Sequence, residues 1–203
     1  MIDTESEASL INGLIDGDEH SYRELVSCHW KSLNFLSRRM LGNTHDAADC
    51  VQEAFIQVIK NIDGFERKSS LETWLRKIVI NQSLMKLRSR GGNREESLDA
   101  IMRQFDDTGH YVQGYEGRPA DLERLQESSE VREIVRKKMD TLPDIYRAIL
   151  ILRDVEGYST EEVARMTSIT EENVKVRLHR ARLAMRNMLE PILRVWSFRN
   201  CSG

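Results

Sequence analysis

Residues 142–189 read LPDIYRAILILRDVEGYSTEEVARMTSITEENVKVRLHRARLAMRNML, and this stretch decides how the C-terminal half folds. Its pattern predicts a helix, a turn at Glu156-Gly157, a short helix, a tight turn and a long basic helix. Ser159 and Glu162 have the capping-box spacing that begins a helix, and Thr170 is placed to cap the next one. Two helices joined by about three residues predict a helix-turn-helix, whose second helix enters the major groove of DNA.

The long basic helix has two distinct faces. Its apolar residues recur at helical spacing and are expected to face the core: Val174, Leu178, Ala181, Met185 and Leu189. A second stripe is cationic and contains Lys175, His179, Arg182 and Arg186, with Arg177 and Arg180 beside it. A solvated basic face is one interpretation, but such faces usually mix charge signs at i,i+4. Because no acid lies between Glu172 and Glu190, a polyanionic partner is the better hypothesis.

Composition narrows the class of protein. The 203 residues carry a net charge of −3, but residues 1–17 contain only acids, whereas 67–94 and 175–199 are basic. Abundant helix formers and only three prolines predict an all-α fold. Three scattered cysteines, an acidic N-terminus and the lack of a long apolar run predict a cytoplasmic protein without membrane insertion.

The N-terminal half contains four amphipathic helical patterns, marked by apolar residues within 10–15, 22–36, 51–62 and 71–79. Gly42-Asn43 and Asp63-Gly64 are expected to end the second and third helices. The apolar stripe of the second helix is predicted to comprise Tyr22, Leu25, Val26, Trp30, Leu33 and Leu36. Each stripe needs a partner, so the four helices should form a compact bundle.

Two segments together resemble one bacterial family. Residues 46–90 read DAADCVQEAFIQVIKNIDGFERKSSLETWLRKIVINQSLMKLRSR, which is similar to the sigma-2 domain of extracytoplasmic-function (ECF, group IV) RNA polymerase sigma factors of the sigma-70 family. The string LP…RDVEGYS…EEVA…VK-x-RLHRAR resembles their sigma-4 domain. The resemblance implies a sigma-2-like bundle at 1–92, a flexible acidic linker at 93–124 and a sigma-4-like helix-turn-helix domain at 125–194.

The resemblance implies an alternative sigma factor, with core RNA polymerase (its β′ clamp and β flap) and promoter DNA as partners. On the third helix, the implied contacts to the β′ clamp are Asp49, Gln52 and Glu53. An acidic and amide-rich face meeting a basic partner is chemically sensible, since complementary charge guides encounter and register. The alternative interpretation is an ordinary solvated face.

The loop at 65–70 and the fourth helix are implied to capture melted −10 DNA. Short polar side chains, two cations and a helix N-terminus suit an anionic backbone and a single base. Extruding a base costs a few kcal/mol, which stacking and backbone contacts of about 1–3 kcal/mol per base can offset. The implied contacts are Arg67, Lys68, Ser69, Ser70, Trp74, Arg76, Lys77 and Asn81, with Trp74 expected mainly in the core.

The basic helix is implied to bind the −35 duplex. The N-terminal half of a recognition helix reaches base edges while flanking cations hold phosphates. We therefore expect Asn173, Lys175, Val176 and Arg177 near bases, and His179, Arg180 and Arg182 nearer the backbone. Arginine or lysine would favour guanine, and asparagine adenine. Ser168 stands where the turn of this family usually has glycine.

Other classes of function fit the sequence less well. A sigma mimic, which sequesters an anti-sigma factor without binding DNA, usually carries a receiver domain and loses the basic recognition helix. A helix-turn-helix repressor would leave 46–90 unexplained. No metal-ligand set, nucleophile motif or phosphate-cradling loop is present in the sequence, so neither enzymatic activity nor a cofactor is expected. The resemblance also implies control by an anti-sigma factor.

Overall fold

The computed structural model describes residues 4–90 and 129–200, with side chains described for 6–90 and 131–190. Every regular element within these ranges is helical, as the all-α prediction requires. The chain divides into two units, Met1–Gly91 and Gly92–Gly203. The expected linker at 93–124, with its two boundaries, lies outside the described residues.

Within residues 4–90, the first unit contains four helices: α1 (Thr4–Ile15), α2 (Glu19–Leu41), α3 (Thr44–Asn61) and α4 (Leu71–Ser89), with a 3-10 turn at Ile62–Gly64. Three of them begin at a side-chain cap, because Asp18, Asn43 and Ser70 each accept a backbone N–H from the following turn. Gly42 ends α2 in the left-handed conformation, with φ of 65°. The expected helix ends at Gly42-Asn43 and near Gly64 are therefore confirmed.

Apolar side chains from all four helices form the core of this unit, among them Leu10, Leu14, Leu25, Leu33, Val51, Val58, Leu71, Leu75 and Val79. Burying a side chain of this size contributes about 1.5–3 kcal/mol. Val26 does not join them: it is 37% exposed, and Leu25 and His29 occupy the inward positions. The prediction for Val26 is wrong, because the apolar stripe of α2 is narrower than the run of apolar residues.

One polar contact interrupts the apolar surface between α2 and α4. The hydroxyl oxygens of Ser37 and Ser83 lie 2.9 Å apart and share a hydrogen bond. Both serines are fully buried. Each hydroxyl therefore satisfies the other in a place that water does not reach.

The second unit contains α5 (Ser129–Asp140), α6 (Asp144–Leu150), α7 (Thr160–Thr167) and α8 (Glu171–Asn200), and α6 continues into a π-helical turn at Ile151–Val155. The predicted inward stripe of α8 is buried at Val174, Leu178, Ala181 and Met185. These residues share the core of this unit with others that include Leu142, Tyr146, Ile149, Ile151 and Val163.

The helix-turn-helix forms with the predicted caps. Ser159 and Glu162 make both hydrogen bonds of a capping box at the start of α7. Ser168 ends α7 with φ of 60°, the left-handed conformation that favours glycine. The Thr170 hydroxyl then accepts the backbone N–H of Asn173 at 3.3 Å, which caps α8. Within the described ranges, no helix is both long and apolar enough to cross a bilayer.

Candidate nucleic-acid interface

The outward face of α3 carries the three residues predicted to contact polymerase. Asp49, Gln52 and Glu53 are all exposed, and their i, i+3, i+4 spacing puts them on one side of the helix. Ile56, one turn further on, is 43% exposed. The sequence reading missed Ile56, which extends the polar face with an apolar side chain.

Asp46, near the start of α3, does not belong to this outward face. Its carboxylate lies 3.0 Å from Lys86 Nζ and also binds Arg90, both near the C-terminal end of α4. Hydrogen bonds from Arg90 and then Lys86 hold the pKa of Asp46 below its ordinary value. These two cations of α4 are therefore engaged within the protein.

The segment 65–70 is held at one end by an aromatic contact. The rings of Phe65 and Trp74 stack with centroids 4.9 Å apart. Both rings pack against the core of the first unit, as expected for Trp74. The Phe65 N–H also donates to the carbonyl of Ile62 at 2.9 Å. Trp74 therefore anchors the Phe65 end of the loop to the core.

The cations of the loop each have a partner from the protein. Arg67 has φ of 54°, and its Nη2 donates to Asn12 Oδ1 in α1 at 2.7 Å. Lys68 pairs with Glu66, and both of these side chains are largely exposed. The loop thus presents its positive charge to solvent, but Arg67 is tied back to α1.

The N-terminus of α4 is partly occupied by the protein itself. The Leu71 N–H donates to Glu7 Oε1 at 2.6 Å. The Thr73 N–H donates to the Ser70 hydroxyl at 3.2 Å, and the two hydroxyls lie 2.8 Å apart. Two of the backbone donors at this helix end therefore already have acceptors within the protein.

On α4 itself, Lys77 and Asn81 are exposed and lie one turn apart. Arg76 is half-buried and lies 3.6 Å from Glu72. Ser69 is half-buried and Ser70 exposed, next to the start of the helix. Lys77 and Asn81 are thus the predicted α4 contacts that are most accessible to a strand of DNA.

The outward side of α8 contains six exposed residues of the predicted −35 set: Asn173, Lys175, Val176, His179, Arg180 and Arg182. Val176 is 48% exposed, as single apolar residues on a protein surface often are. Arg177 is half-buried, and its guanidinium carbon lies 5.9 Å from the centre of the Tyr146 ring. That ring restrains Arg177 through a cation–π contact.

Arg182 has an acidic partner that the sequence reading did not find. Its Nε and Nη2 donate to the two carboxylate oxygens of Asp154 at 2.9 and 2.6 Å. The hydrogen bond to Asp154 raises the pKa of the arginine further. Asp154 lies in the π-helical turn, 28 residues away, so a search for acids along α8 could not detect it. The expectation of nearly unpaired cations is wrong for Arg182.

The −10 candidates lie in the loop before α4 and along its first three turns, and the −35 candidates lie on the side of α8 away from its buried stripe. Glu7, Asn12, Ile56 and Asp154 are the neighbours that the sequence did not indicate. Within the described residues, no group of three or more His, Cys, Asp or Glu side chains could hold a metal ion.

Comparison with known proteins points to one family. Residues 25–92 match the Sigma-70 region 2 family, and residues 132–185 match the family described as Sigma-70, region 4. Over 176 residues, the chain is 31% identical to the ECF RNA polymerase sigma factor SigW of Bacillus subtilis, covering 87% of this chain and 92% of that protein. It is 30% identical over 186 residues to the ECF RNA polymerase sigma-E factor of Escherichia coli, covering 91% and 95%.

Two solved structures share the fold. One is the sigma factor RpoE in complex with the anti-sigma factor NepR from Bartonella quintana, with a TM-score of 0.53, 22% identity, and coverage of 83% of this chain and 96% of that one. The other is CnrH in complex with the cytosolic domain of CnrY, with a TM-score of 0.50, 20% identity, and coverage of 91% and 97%.

Proposed function

Since this chain belongs to the ECF RNA polymerase sigma factors of the sigma-70 family, we propose that it binds core RNA polymerase and directs promoter-specific initiation of transcription. In this proposal residues 1–92 bind core polymerase and the −10 element, 93–124 link the two domains, and 125–194 bind the −35 element. The observation that carries the proposal is α8, a capped recognition helix with its apolar face buried and a cationic face exposed. The site of action would be the cytoplasm, where the polymerase works.

The −35 duplex would be read from the N-terminal half of α8. Asn173, Lys175 and Val176 are exposed there, and side chains at this end of a recognition helix reach base edges. An exposed valine offers an apolar contact for a thymine methyl group, while asparagine and lysine pair with adenine and guanine. Arg177 would join them after leaving the Tyr146 ring.

Phosphate contacts would come from the next turns of the same helix. His179 and Arg180 are exposed on the cationic face, and such contacts fix the register of a protein on the duplex. Arg182 is the least available of the set, because Asp154 already engages its guanidinium. A phosphate would have to compete with that carboxylate.

Melted −10 DNA would be captured at the start of α4. Lys68, Ser69 and Ser70 offer a charge and two hydroxyls beside the stacked Phe65–Trp74 pair. Arg67, Arg76, Lys77 and Asn81 would hold the strand on either side. A captured base must recover the few kcal/mol spent on unstacking it, and stacking and backbone contacts of about 1–3 kcal/mol per base are sufficient.

Core polymerase would dock on the outward face of α3 through Asp49, Gln52 and Glu53, which would meet the β′ clamp. The exposed Ile56 supports this assignment, because an apolar side chain beside charged ones is typical of a docking surface. The second domain would contact the β flap. Anti-sigma control is supported by the relatives, since both structural neighbours are complexes and one of them contains a named anti-sigma factor.

Two measurements test this function. The purified chain should co-elute with core polymerase on gel filtration, and the two together should start RNA at promoter fragments where core alone does not. Asp49→Ala with Glu53→Ala should abolish co-elution, whereas Lys175→Ala with Arg180→Ala should co-elute but lose initiation. If the wild-type chain fails to co-elute, or starts no RNA on any genomic fragment, the proposal is wrong. A chain that binds an anti-sigma factor but neither co-elutes with core polymerase nor starts RNA would instead favour the sigma mimic.

A further inference from the structure

Helix α1 provides side chains to a loop that lies far along the chain. We propose that Glu7 and Asn12 are positioning residues, which hold segment 65–70 in the conformation that captures the −10 base. This inference rests on the proposed function, because it adds residues to the same −10 site. Neither residue has to touch DNA for the proposal to hold.

Helix α1 is fixed in place by its packing against the rest of the first unit. Leu10, Ile11 and Leu14 are buried in the core that also holds the first turn of α4. Gly13 lies so close to α2 that a Cβ atom there would sit 2.1 Å from Ser21 Oγ. A helix fixed on its apolar face and in close contact with its neighbour can transmit its position to the side chains it carries.

Helix α1 makes two separate hydrogen bonds here, one to the middle of segment 65–70 and one to Leu71, the residue that follows it. Glu7 Oε1 accepts the backbone N–H of Leu71 at 2.6 Å, which fixes the junction between segment and helix. Asn12 Oδ1 accepts Nη2 of Arg67 at 2.7 Å, which fixes the middle. Phe65 is held at the other end by its stack on a core aromatic ring. Lys68 and Ser69 are left between the fixed points, where a base would enter.

The backbone of Arg67 has an unfavourable conformation. Its φ of 54° lies in the left-handed region, which residues other than glycine, asparagine and aspartate seldom adopt. Such a conformation persists only where the surroundings hold it. The hydrogen bond from Arg67 to Asn12 supplies that restraint. Without it the loop can relax, and Lys68 and Ser69 would move with it.

A competing interpretation of Glu7 can be separated from positioning. A carboxylate at a helix N-terminus could stand in for a DNA phosphate and be displaced when DNA binds. In that case removing its charge should strengthen DNA binding. Under the positioning role, Glu7→Gln should behave like the wild type, because an amide oxygen can still accept the Leu71 N–H, whereas Glu7→Ala should weaken capture.

The experiment uses the full chain bound to core polymerase and two single-stranded −10 oligonucleotides. One carries the natural base at the captured position and the other has an abasic site there. The ratio of the two dissociation constants measures base capture alone. For the wild type we expect a ratio of roughly 5 to 150, which corresponds to about 1–3 kcal/mol per base. Glu7→Ala and Asn12→Ala should bring the ratio close to one, and Asn12→Asp should retain it.

Three controls separate positioning from general damage. Val58→Ala removes a buried side chain of the same core without touching the loop, so it should lower the melting temperature and leave the ratio unchanged. Lys77→Ala should weaken binding of both oligonucleotides equally. Binding of a −35 duplex should be the same for every variant of α1.

The outcomes are distinct. If the wild type discriminates between the oligonucleotides and Glu7→Ala and Asn12→Ala discriminate equally well, the positioning role is overturned. If Glu7→Gln and Glu7→Ala both bind more tightly than the wild type, Glu7 is a displaced phosphate substitute. If the wild type itself does not discriminate, the proposed −10 capture fails.

Discussion

Replacing Asp154 with asparagine would leave the Arg182 guanidinium beside a neutral amide. The carboxylate now binds that guanidinium through two hydrogen bonds, of 2.9 and 2.6 Å. The Arg182 side chain is 55% exposed, so a phosphate can reach it only in competition with Asp154. The pair carries no net charge, and the substitution therefore adds one positive charge to the face proposed to meet DNA.

The size of the effect follows from counterion release. Each phosphate that a protein neutralises makes the slope of log K against log salt steeper by about 0.9. If Asp154→Asn lets Arg182 take one phosphate, the slope should steepen by about that amount. The affinity gain over the wild type should then shrink about 3.5-fold between roughly 50 mM and 200 mM salt.

The assay is a fluorescence anisotropy titration of a −35 duplex at four salt concentrations, below the melting temperature of every variant. Arg182→Gln alone should change the wild-type slope little, and Asp154→Asn with Arg182→Gln should return the slope to the wild-type value. The reasoning is refuted if Arg182→Gln alone flattens the slope by about one unit and Asp154→Asn has no effect. That result would mean that Arg182 already neutralises a phosphate in the wild type.

Three further predictions concern recognition, backbone strain and pH. Arg177→Ala should weaken −35 binding and relax sequence preference, whereas Arg180→Ala should weaken all sequences alike and lower the salt slope by about one unit, as titration of matched and mismatched duplexes would reveal. Ser168→Gly should raise the free energy of unfolding by about 1 kcal/mol in urea titrations, because glycine tolerates the left-handed φ of that position. Burial lowers the pKa of His29 below its ordinary value of 6.5, so the unfolded chain takes up the proton first and stability should fall on acidification below that value. His29→Gln should reduce this loss between about pH 7 and pH 5 in chemical denaturation, and an unchanged pH dependence would contradict the assignment.

The helices and their caps could be predicted because their signals are local. The capping box joins Ser159 and Glu162, which are only three positions apart, and Gly42 follows the last turn of its helix. The apolar stripe of α8 was readable for the same reason, since its members repeat within two turns. Val26 is the exception: it is 37% exposed, because whether an apolar residue beside a stripe is covered depends on how the other helices pack against it.

The partners of the site residues could not be predicted, because they come from other helices. Glu7 lies 64 residues from Leu71, and Arg90 lies 44 residues from Asp46. Such pairs depend on the register in which the helices pack, and no local pattern encodes it. The sequence therefore predicts which charged side chains lie on the outer faces of the helices. Which of them are free to bind a partner depends on the packing of the helices, which the sequence pattern does not show.

The shared hydrogen bond of Ser37 and Ser83 has a consequence for how the first domain keeps its alignment. Apolar contacts between leucine and valine side chains can persist when one helix shifts along another by a fraction of a turn. A buried hydroxyl that loses its partner in such a shift is left without a hydrogen bond, which is costly. The hydrogen bond between the two serines therefore favours one axial register of α2 against α4. Replacing both serines with alanine would remove this hydrogen bond without leaving either hydroxyl buried and unpaired. The resulting protein should remain folded but hold α2 and α4 in a less well-defined register.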